Sequence, residues 1–213
     1  YEMADEFVDI MKQLWISDEN LDIEGKFYKM KKGFVSPKPR HGRPVIVNAS
    51  SSGPGFDFAA EHSDLLFITR PVGKDVYGLL KEHNGNIKSR AAEQGKSVKT
   101  IINPHIICAD TEKEAFARRQ AFIDHADPVA LENFFSLITG GDTVSWKGAV
   151  MDDLAVGGNM QIVGTPEQVV EKMMRLHDAG IDGIQVNFYD YLPDLEYFGE
   201  RVLPLMKEAG LRN

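Results

Sequence analysis

Apolar residues recur at helical spacing near both ends of the chain. They predict one helix over about residues 2–15 and another over about residues 194–208. The residues that carry the pattern are Phe7, Ile10, Met11, Leu14 and Trp15 in the first helix and Leu195, Phe198, Val202, Leu205 and Met206 in the last. Because this spacing places side chains on one face of a helix, both helices should pack that face against a core.

Between these helices, short apolar runs alternate with longer, more polar segments. The apolar runs predict strands at 45–48, 65–68, 101–108 and 184–188. The longer segments predict helices over about 54–62, 74–94, 111–125, 127–138 and 165–179, and alternating residues around Gly25 predict a small hairpin. Buried strands that alternate with helices are typical of a parallel sheet with helices on its faces.

The predicted fold class is therefore α/β. A complete (β/α)8 TIM barrel needs eight strands and roughly 250 residues, whereas this chain has 213 residues and about four predicted parallel strands. We expect a partial barrel that corresponds to the C-terminal half, formed by residues 1–213 as a single domain. The chain opens inside a helical pattern with no preceding cap, so we also expect it to be the C-terminal part of a longer protein.

Composition and charge exclude several functions. The net charge of −8 argues against a broad nucleic-acid surface, and no apolar run is long enough to cross a bilayer, so we expect neither nucleic acid nor membrane as a partner. The single cysteine, Cys108, rules out an internal disulfide and favours a cytoplasmic location. The six histidines are far apart with no metal-ligand spacing, so no metal site is expected.

The run Ser50, Ser51, Ser52 and Gly53 is the most informative motif. It lies between the strand at 45–48 and the helix that follows. Free backbone N–H groups and the positive end of a helix dipole point at such a loop, serine hydroxyls add donors, and glycine lets the backbone come close. The motif predicts a site for the phosphate of a ligand or cofactor. An ordinary helix N-cap is the alternative, and the local sequence does not separate the two.

Other candidates follow the carboxyl ends of strands, where ligands bind in a barrel. Arg70 could balance an anion or a developing oxyanion, with a surface salt bridge as the alternative. Asn187, together with Tyr189 and Asp190, could hydrogen-bond a ligand, with simple turn chemistry as the alternative. We interpret His105, in the middle of a predicted strand, as a core histidine and not as a base.

Four stretches resemble the bacterial luciferase-like family of flavin-dependent monooxygenases. They are residues 4–15, 25–39, 45–64 and 163–183. The tail at 190–204 is most similar to the dimethyl sulfone and pyrimidine monooxygenase branch of that family. The stretches cover almost the whole chain, and it is their order and spacing that carry the resemblance.

The resemblance implies a TIM-barrel monooxygenase that uses reduced FMN and O2 to oxidise a small sulfone, sulfonate or pyrimidine-like substrate. A partner flavin reductase would supply the reduced FMN. Ser52 aligns with the family's phosphate-binding serine, beside Ser51 and Gly53. The glycine-rich segment 139–160 corresponds to the family's mobile lid loop, which agrees with its length.

One departure from the family bears on activity. The family's first four strands, which bring most of the flavin contacts, have no counterpart here, so catalytic residues are not identified and the chain alone is expected to be inactive. Its unpaired sheet edges should make it a homo-oligomer. The alternative function is a non-catalytic truncated barrel that binds a phosphate ligand or serves in assembly.

Overall fold

The computed structural model describes residues 1–49, 53–69, 74–140 and 151–212. In chain order the elements are α1 (Glu2–Ile16), β1 (Leu21–Glu24), β2 (Lys29–Gly33), β3 (Val47–Asn48), α2 (Gly53–His62), β4 (Leu65–Phe67), α3 (Val76–Glu93), β5 (Lys99–Ile102), β6 (His105–Cys108), α4 (Glu112–Asp124), α5 (Pro128–Gly140), α6 (Met151–Ala155), β7 (Gln161–Gly164), α7 (Pro166–Asp178), β8 (Gly183–Ile184), α8 (Tyr191–Tyr197), a π-helical turn (Phe198–Val202) and α9 (Leu203–Glu208). They fall into two compact units, and the expectation of a single domain stays a prediction.

The first unit comprises Tyr1–Leu66 and Ala91–Val98. It contains the antiparallel hairpin β1–β2 and a parallel pairing of β3 with β4, in which Val47 lies opposite Leu65. Helix α2 buries Phe56, Ala59 and Ala60, as a helix with an apolar face should. The hairpin is held to α1 because a Glu6 carboxylate oxygen accepts the Tyr28 backbone N–H at 2.8 Å.

The second unit comprises Phe67–Arg90 and Lys99–Asn213. Its strands pair in parallel, β5 with β8 and β6 with β7. Helices α4 and α7 follow β6 and β7, and the core between them contains Ile107, Ala115, Val156 and Val163. Parallel strand pairs followed by helices confirm the predicted α/β class.

A buried polar network fixes one end of β5. The Thr100 hydroxyl donates to the Asn84 side-chain oxygen at 2.8 Å, and the Asn84 amide donates to the Ala179 carbonyl at 3.1 Å. Asp182 accepts the Thr100 backbone N–H at 2.8 Å. Thr100 and Asn84 are buried, so each hydrogen bond spares a polar atom from being left unpaired in the core.

Two strand predictions were wrong. The predicted strand 101–108 is two strands, because Pro104 lacks the N–H that a continuous ladder needs. After this break the chain changes partner, from β8 to β7. Strand β7 was not predicted at all, since its four residues follow a glycine-rich stretch and give no clear periodicity.

The C-terminal elements also differ in their bounds from the prediction. The last strand covers only Gly183–Ile184 instead of 184–188, and Asn187 beyond it joins β6 through an isolated bridge to His105. The last helix begins earlier, at Tyr191, and contains the π-helical turn. In the segment 139–160, Gly140 ends α5 and Met151 begins α6, while residues 141–150 lie outside the described part. The mobile lid loop therefore stays a prediction.

Candidate functional site

Most of the predicted phosphate loop lies outside the described residues. This applies to Ser50, Ser51 and Ser52, and also to Arg70. Gly53 is described and is the first residue of α2. A Cβ atom placed on Gly53 would meet no described atom within 4 Å. The assignment of the loop to a phosphate stays a prediction.

Asn187 lies beyond β8 in the second unit and is fixed mainly through its backbone. Its N–H donates to the Pro104 carbonyl at 3.1 Å, and its carbonyl accepts the Ile106 N–H at 2.9 Å. The Asn187 side-chain amide donates to the Asn103 carbonyl at 3.3 Å. Asn187 thus ties the end of β8 to the break between β5 and β6.

This tie places two chain segments at one edge of the paired strands. Residues 103–105 follow β5 and residues 187–189 follow β8, and these two strands are parallel neighbours. His105 is also the first residue of β6, which pairs in parallel with β7, so the segments lie where β5 and β8 end and where β6 and β7 begin. We call His105, Tyr189 and the residues that contact them the strand-end site.

The strand-end site is built on three stacked aromatic rings. The His105 and Tyr189 rings stack with centroids 4.9 Å apart, and the Tyr189 and Phe122 rings stack at 4.0 Å. Phe122 comes from α4, so the stack joins a helix to both strand ends. Stacked rings of this kind lock side-chain orientation as well as burying apolar area.

Burial keeps both titratable rings of the strand-end site neutral. Burial lowers the pKa of His105, and a hydrogen bond with the Val156 backbone opposes that shift in part. Burial also raises the pKa of Tyr189, whose hydroxyl donates to the Ala155 carbonyl at a long 3.4 Å. The site therefore presents aromatic, uncharged groups near neutral pH.

Gly157 closes over the histidine. Its φ of +84° lies in the left-handed region that favours glycine. A Cβ atom at this position would lie 2.5 Å from His105 Cε1 and 2.9 Å from His105 Nδ1. No side chain fits here unless the histidine or the turn moves.

The charged groups beyond the ends of β6 and β7 are paired with one another. Asp110 accepts the Tyr197 hydroxyl at 2.8 Å and lies 3.4 Å from the Arg201 guanidinium. Arg118 donates to the Cys108 carbonyl at 2.8 Å. Burial raises the pKa of Cys108 to about 11, so this buried thiol stays protonated and unreactive near neutral pH. These groups contribute to structure more than to a ligand site.

Two kinds of feature are absent from the described residues, a metal-binding cluster and a membrane-spanning helix. Among them, no cluster of three or more histidine, cysteine or acidic side chains can hold a metal ion. In the same ranges, no helix has both the length and the apolar character needed to span a membrane.

The sequence analysis named Asn187 and Tyr189 as possible ligand contacts, with turn chemistry as the alternative, but it missed the stack. His105 had been interpreted as a core histidine, while Phe122 and Gly157 had not been singled out. The sequence did offer one signal, the pair Asn103-Pro104. A proline interrupts a strand, so the residue after it, His105, begins a new one.

Parallel strand pairs and the helices that follow them are typical of a (β/α)-barrel type of protein. A family model described as luciferase-like monooxygenase matches residues 1–183. The chain belongs to this family, which confirms the resemblance seen in the sequence.

Three relatives illustrate the match. The chain is 34% identical over 217 residues to an FMNH2-dependent dimethylsulfone monooxygenase of Pseudomonas fluorescens strain Pf0-1, covering 98% of this chain and 58% of the relative. It is 31% identical to the pyrimidine monooxygenase RutA of Acinetobacter baylyi, covering 97% and 57%. The crystal structure of riboflavin lyase RcaE, with modified FMN and riboflavin, superposes with a TM-score of 0.83 at 21% identity, covering 100% of this chain and 58% of that one.

Two conclusions follow from these matches. The structural match confirms the predicted fold class, and the two enzyme names agree with the branch that the C-terminal tail indicated. The chain spans under three fifths of the length of these relatives.

Proposed function

We propose that the whole protein is a monooxygenase that uses reduced FMN and O2 to oxidise a small organic substrate. The observation that carries the proposal is the similarity along 98% of this chain to an enzyme named as FMNH2-dependent. The strand-end site supports it, because uncharged aromatic groups at the ends of parallel strands suit a flavin ring or a small organic molecule. FMN, when bound, would supply the oxygen-transfer chemistry.

In this proposal the phosphate of FMN binds at the N-terminus of α2. This helix has ten residues, and the positive end of its dipole favours an anion at its first turn. In this proposal Ser50, Ser51 and Ser52 donate hydrogen bonds to the phosphate. Arg70 would contribute a positive charge that balances an anionic ligand.

The groups of the strand-end site would orient the ligand and exclude water. Asn187 fixes the positions of the two strand ends, and His105 and Tyr189 present a stacked, uncharged wall. A wall without charge disfavours bulk water near the reacting centre and strengthens the remaining polar contacts. The substrate would be a sulfone or a pyrimidine-like ring, as the names of the relatives suggest, or a sulfonate, as the resemblance in the sequence implies.

The proposal includes partners and an alternative. A flavin reductase would deliver reduced FMN, and the protein would work as a homo-oligomer in the cytoplasm. The alternative is a non-catalytic truncated barrel that binds a phosphate ligand or serves in assembly.

Oxygen transfer to two probes separates these functions. The whole reading frame that contains this chain, and the 213-residue chain itself, are incubated with FMN, NADH, a flavin reductase and either dimethyl sulfone or uracil. We expect the whole protein to oxidise one of the probes, and the chain alone to oxidise neither. Failure of the whole protein on both probes and on a panel of sulfonates would overturn the proposal. Turnover by the 213-residue chain alone would show that this chain contains a complete active site.

A further inference from the structure

His62, the last residue of α2, joins this helix to α1 through both of its ring nitrogens. Its Nε2 lies 2.9 Å from Asp5 Oδ1, and its Nδ1 lies 3.0 Å from Lys12 Nζ. The histidine is buried, and its ring packs against the Phe58 ring with centroids 4.8 Å apart. All four residues belong to the first unit, so this unit holds the imidazole between a carboxylate and an ammonium.

The partner at Nδ1 defines the protonation state of the ring. A lysine ammonium has three donors and no acceptor, so the hydrogen bond from Lys12 requires a lone pair on Nδ1. The ring proton is then on Nε2, which donates it to Asp5. The geometry therefore describes a neutral imidazole, and both of its hydrogen-bond partners agree on the tautomer.

A second carboxylate lies beside the same nitrogen. Asp9 Oδ1 is 3.8 Å from Nδ1, which is too long for a hydrogen bond but within reach of a small side-chain movement. Asp5, Asp9 and Lys12 are four and three positions apart along α1, so their side chains share one face of this helix. Nδ1 thus has one partner in place that needs a lone pair and another close by that needs a proton.

We infer that His62 is a pH-sensitive latch between α1 and α2, in which Nδ1 binds Lys12 when the ring is neutral and Asp9 when the ring is protonated. A protonated imidazole has two N–H donors, and a buried donor without an acceptor is unfavourable. The new Nδ1–H and the Lys12 ammonium are both donors and both positive, so they do not stay in contact at 3.0 Å. The ring takes its proton from solvent, Lys12 leaves Nδ1, and Asp9 accepts the new N–H while the contact with Asp5 is kept.

The cleft beside the ring gives the proton a route to it. His62 lines a cleft of about 460 Å3, together with Asp5 and Asp9. The other titratable groups that line this cleft are Tyr1, Asp57 and Glu61. Asp57 accepts a hydrogen bond from Gln94 at 3.1 Å, and Glu61 forms an ion pair with Lys96 at 3.0 Å, so these two carboxylates already have partners of their own. Asp9 is the carboxylate that lies closest to Nδ1 on the facing helix.

The released lysine has a second carboxylate in its neighbourhood. Hydrogen bonding with Arg43 is the main cause of the low pKa of Asp64, and the charge of Lys12 adds to it. A Lys12 side chain that leaves Nδ1 can therefore turn towards Asp64. The exchange moves the Nδ1 contact by three positions on α1, which is about 4.5 Å along the helix axis. The latch goes beyond the proposed function and does not depend on it.

The first test measures the titration of His62 in the whole protein that contains this chain. Exchange of the imidazole Cε1 hydrogen for deuterium, followed by mass spectrometry of peptides, gives a titration midpoint for each histidine. Lys12→Met should raise the His62 midpoint by at least about 0.5 pH unit, because it removes the ammonium that opposes the proton. Asp9→Asn should lower the midpoint by a similar amount, because it removes the charged acceptor for Nδ1–H. Lys31→Met and Asp18→Asn, at exposed positions outside α1, are the matched controls and should leave it unchanged.

The second test observes the exchange directly and needs no variant, so it decides even where a substitution prevents folding. Crystal structures of the wild-type whole protein are determined about one pH unit above and one pH unit below the His62 midpoint. We expect Lys12 Nζ at hydrogen-bond distance from Nδ1 in the first structure and an Asp9 carboxylate oxygen there in the second. Lys12 still bound to Nδ1 below the midpoint would overturn the inference. So would a ring that does not titrate between pH 4 and pH 9, or a midpoint that neither Lys12→Met nor Asp9→Asn shifts.

Discussion

At the scale of single residues, Ser52 carries the clearest prediction. If the loop before α2 holds the FMN phosphate, its hydroxyl makes one charge-assisted hydrogen bond, worth about 1.5–3 kcal/mol. Ser52→Ala in the whole protein should then weaken FMN binding by about ten-fold to a hundred-fold, measured by quenching of flavin fluorescence. Riboflavin has no phosphate and should bind wild type and variant equally.

The comparison of the two flavins distinguishes phosphate binding from helix capping. Loss of an N-cap costs about 1 kcal/mol, which the fold should survive. Ser136→Ala, an exposed position on α5, is the matched control and should change neither affinity. An equal loss of affinity for FMN and riboflavin would mean that Ser52 shapes the helix and does not hold the phosphate.

Asp64 predicts a pH dependence of stability. Hydrogen bonds from the Arg43 guanidinium, at 2.7 Å to each carboxylate oxygen, lower the pKa of Asp64 to about 2, and the Ile46 N–H adds to the shift. The folded-state pKa is depressed, so the stabilisation is fully present above the unfolded value of about 3.9. It is lost as the pH falls towards about 2.

This dependence can be isolated by urea unfolding of the chain between pH 5 and pH 2. Asp64→Asn should remove part of the acid loss of stability, and Arg43→Ala should reduce it to a similar extent. Both side chains are more than a third exposed, so solvent screens the pair and the effect should be modest. An equal loss of stability between pH 5 and pH 2 in the wild type and in both variants would contradict a stabilising Arg43–Asp64 pair.

At the scale of elements, helix starts were predicted from the sequence and strand ends were not. The helices predicted from residues 111 and 165 have Thr111 and Thr165 as their N-caps, and both threonines form capping boxes, with Glu114 and Gln168 respectively. A cap depends on four adjacent residues, so the local sequence contains its whole cause. A strand depends on its partner, which is why β7 was missed: its register is fixed by pairing with His105–Cys108.

The strand-end site shows the same difference between features set by adjacent residues and features set by distant ones. The sequence identified Asn187 because it follows a predicted strand. It did not identify the stack of His105, Tyr189 and Phe122, whose members lie up to 84 residues apart and meet only through pairing of β6 with the chain after β8. The break at Pro104 moved His105 from the middle of a strand to its start, and this changed its role in our interpretation.

The capping box of α7 allows an element-scale test. The Thr165 hydroxyl accepts the Gln168 backbone N–H, and the Gln168 side-chain oxygen accepts the Thr165 backbone N–H. Thr165→Ala should cost about 1 kcal/mol, which lowers the Tm by about 2–4 °C for a chain of this size. Thr165→Ser keeps the hydroxyl, so its Tm in a thermal melt should lie close to that of the wild type. An unchanged Tm in Thr165→Ala would show that α7 is fixed by packing alone.

At the scale of the whole molecule, unpartnered apolar surface decides how the chain behaves alone. Helix α5 is strongly apolar in sequence, yet none of its side chains that the structure describes is buried. Val129 is 64% exposed and Leu137 is 73% exposed. Contiguous exposed apolar surface of this kind favours association. The first unit adds further examples, with Phe7 at 50% and Val45 at 65% exposure.

We therefore predict that the 213-residue chain self-associates at tens of micromolar protein, as the unpaired strand edges expected from the sequence also indicate. Sedimentation velocity over a concentration series should show a rising mean mass.

Replacing both Val129 and Leu137 by lysine should lower the mass, because two charges on an apolar helix face oppose its burial. Glu132→Lys on the same helix is the control, since it changes charge at an exposed position that is already polar and should leave the association nearly unchanged. A monodisperse monomer across the series would contradict the prediction. Association that Val129→Lys with Leu137→Lys leaves intact would place the contact on the strand edges and not on α5.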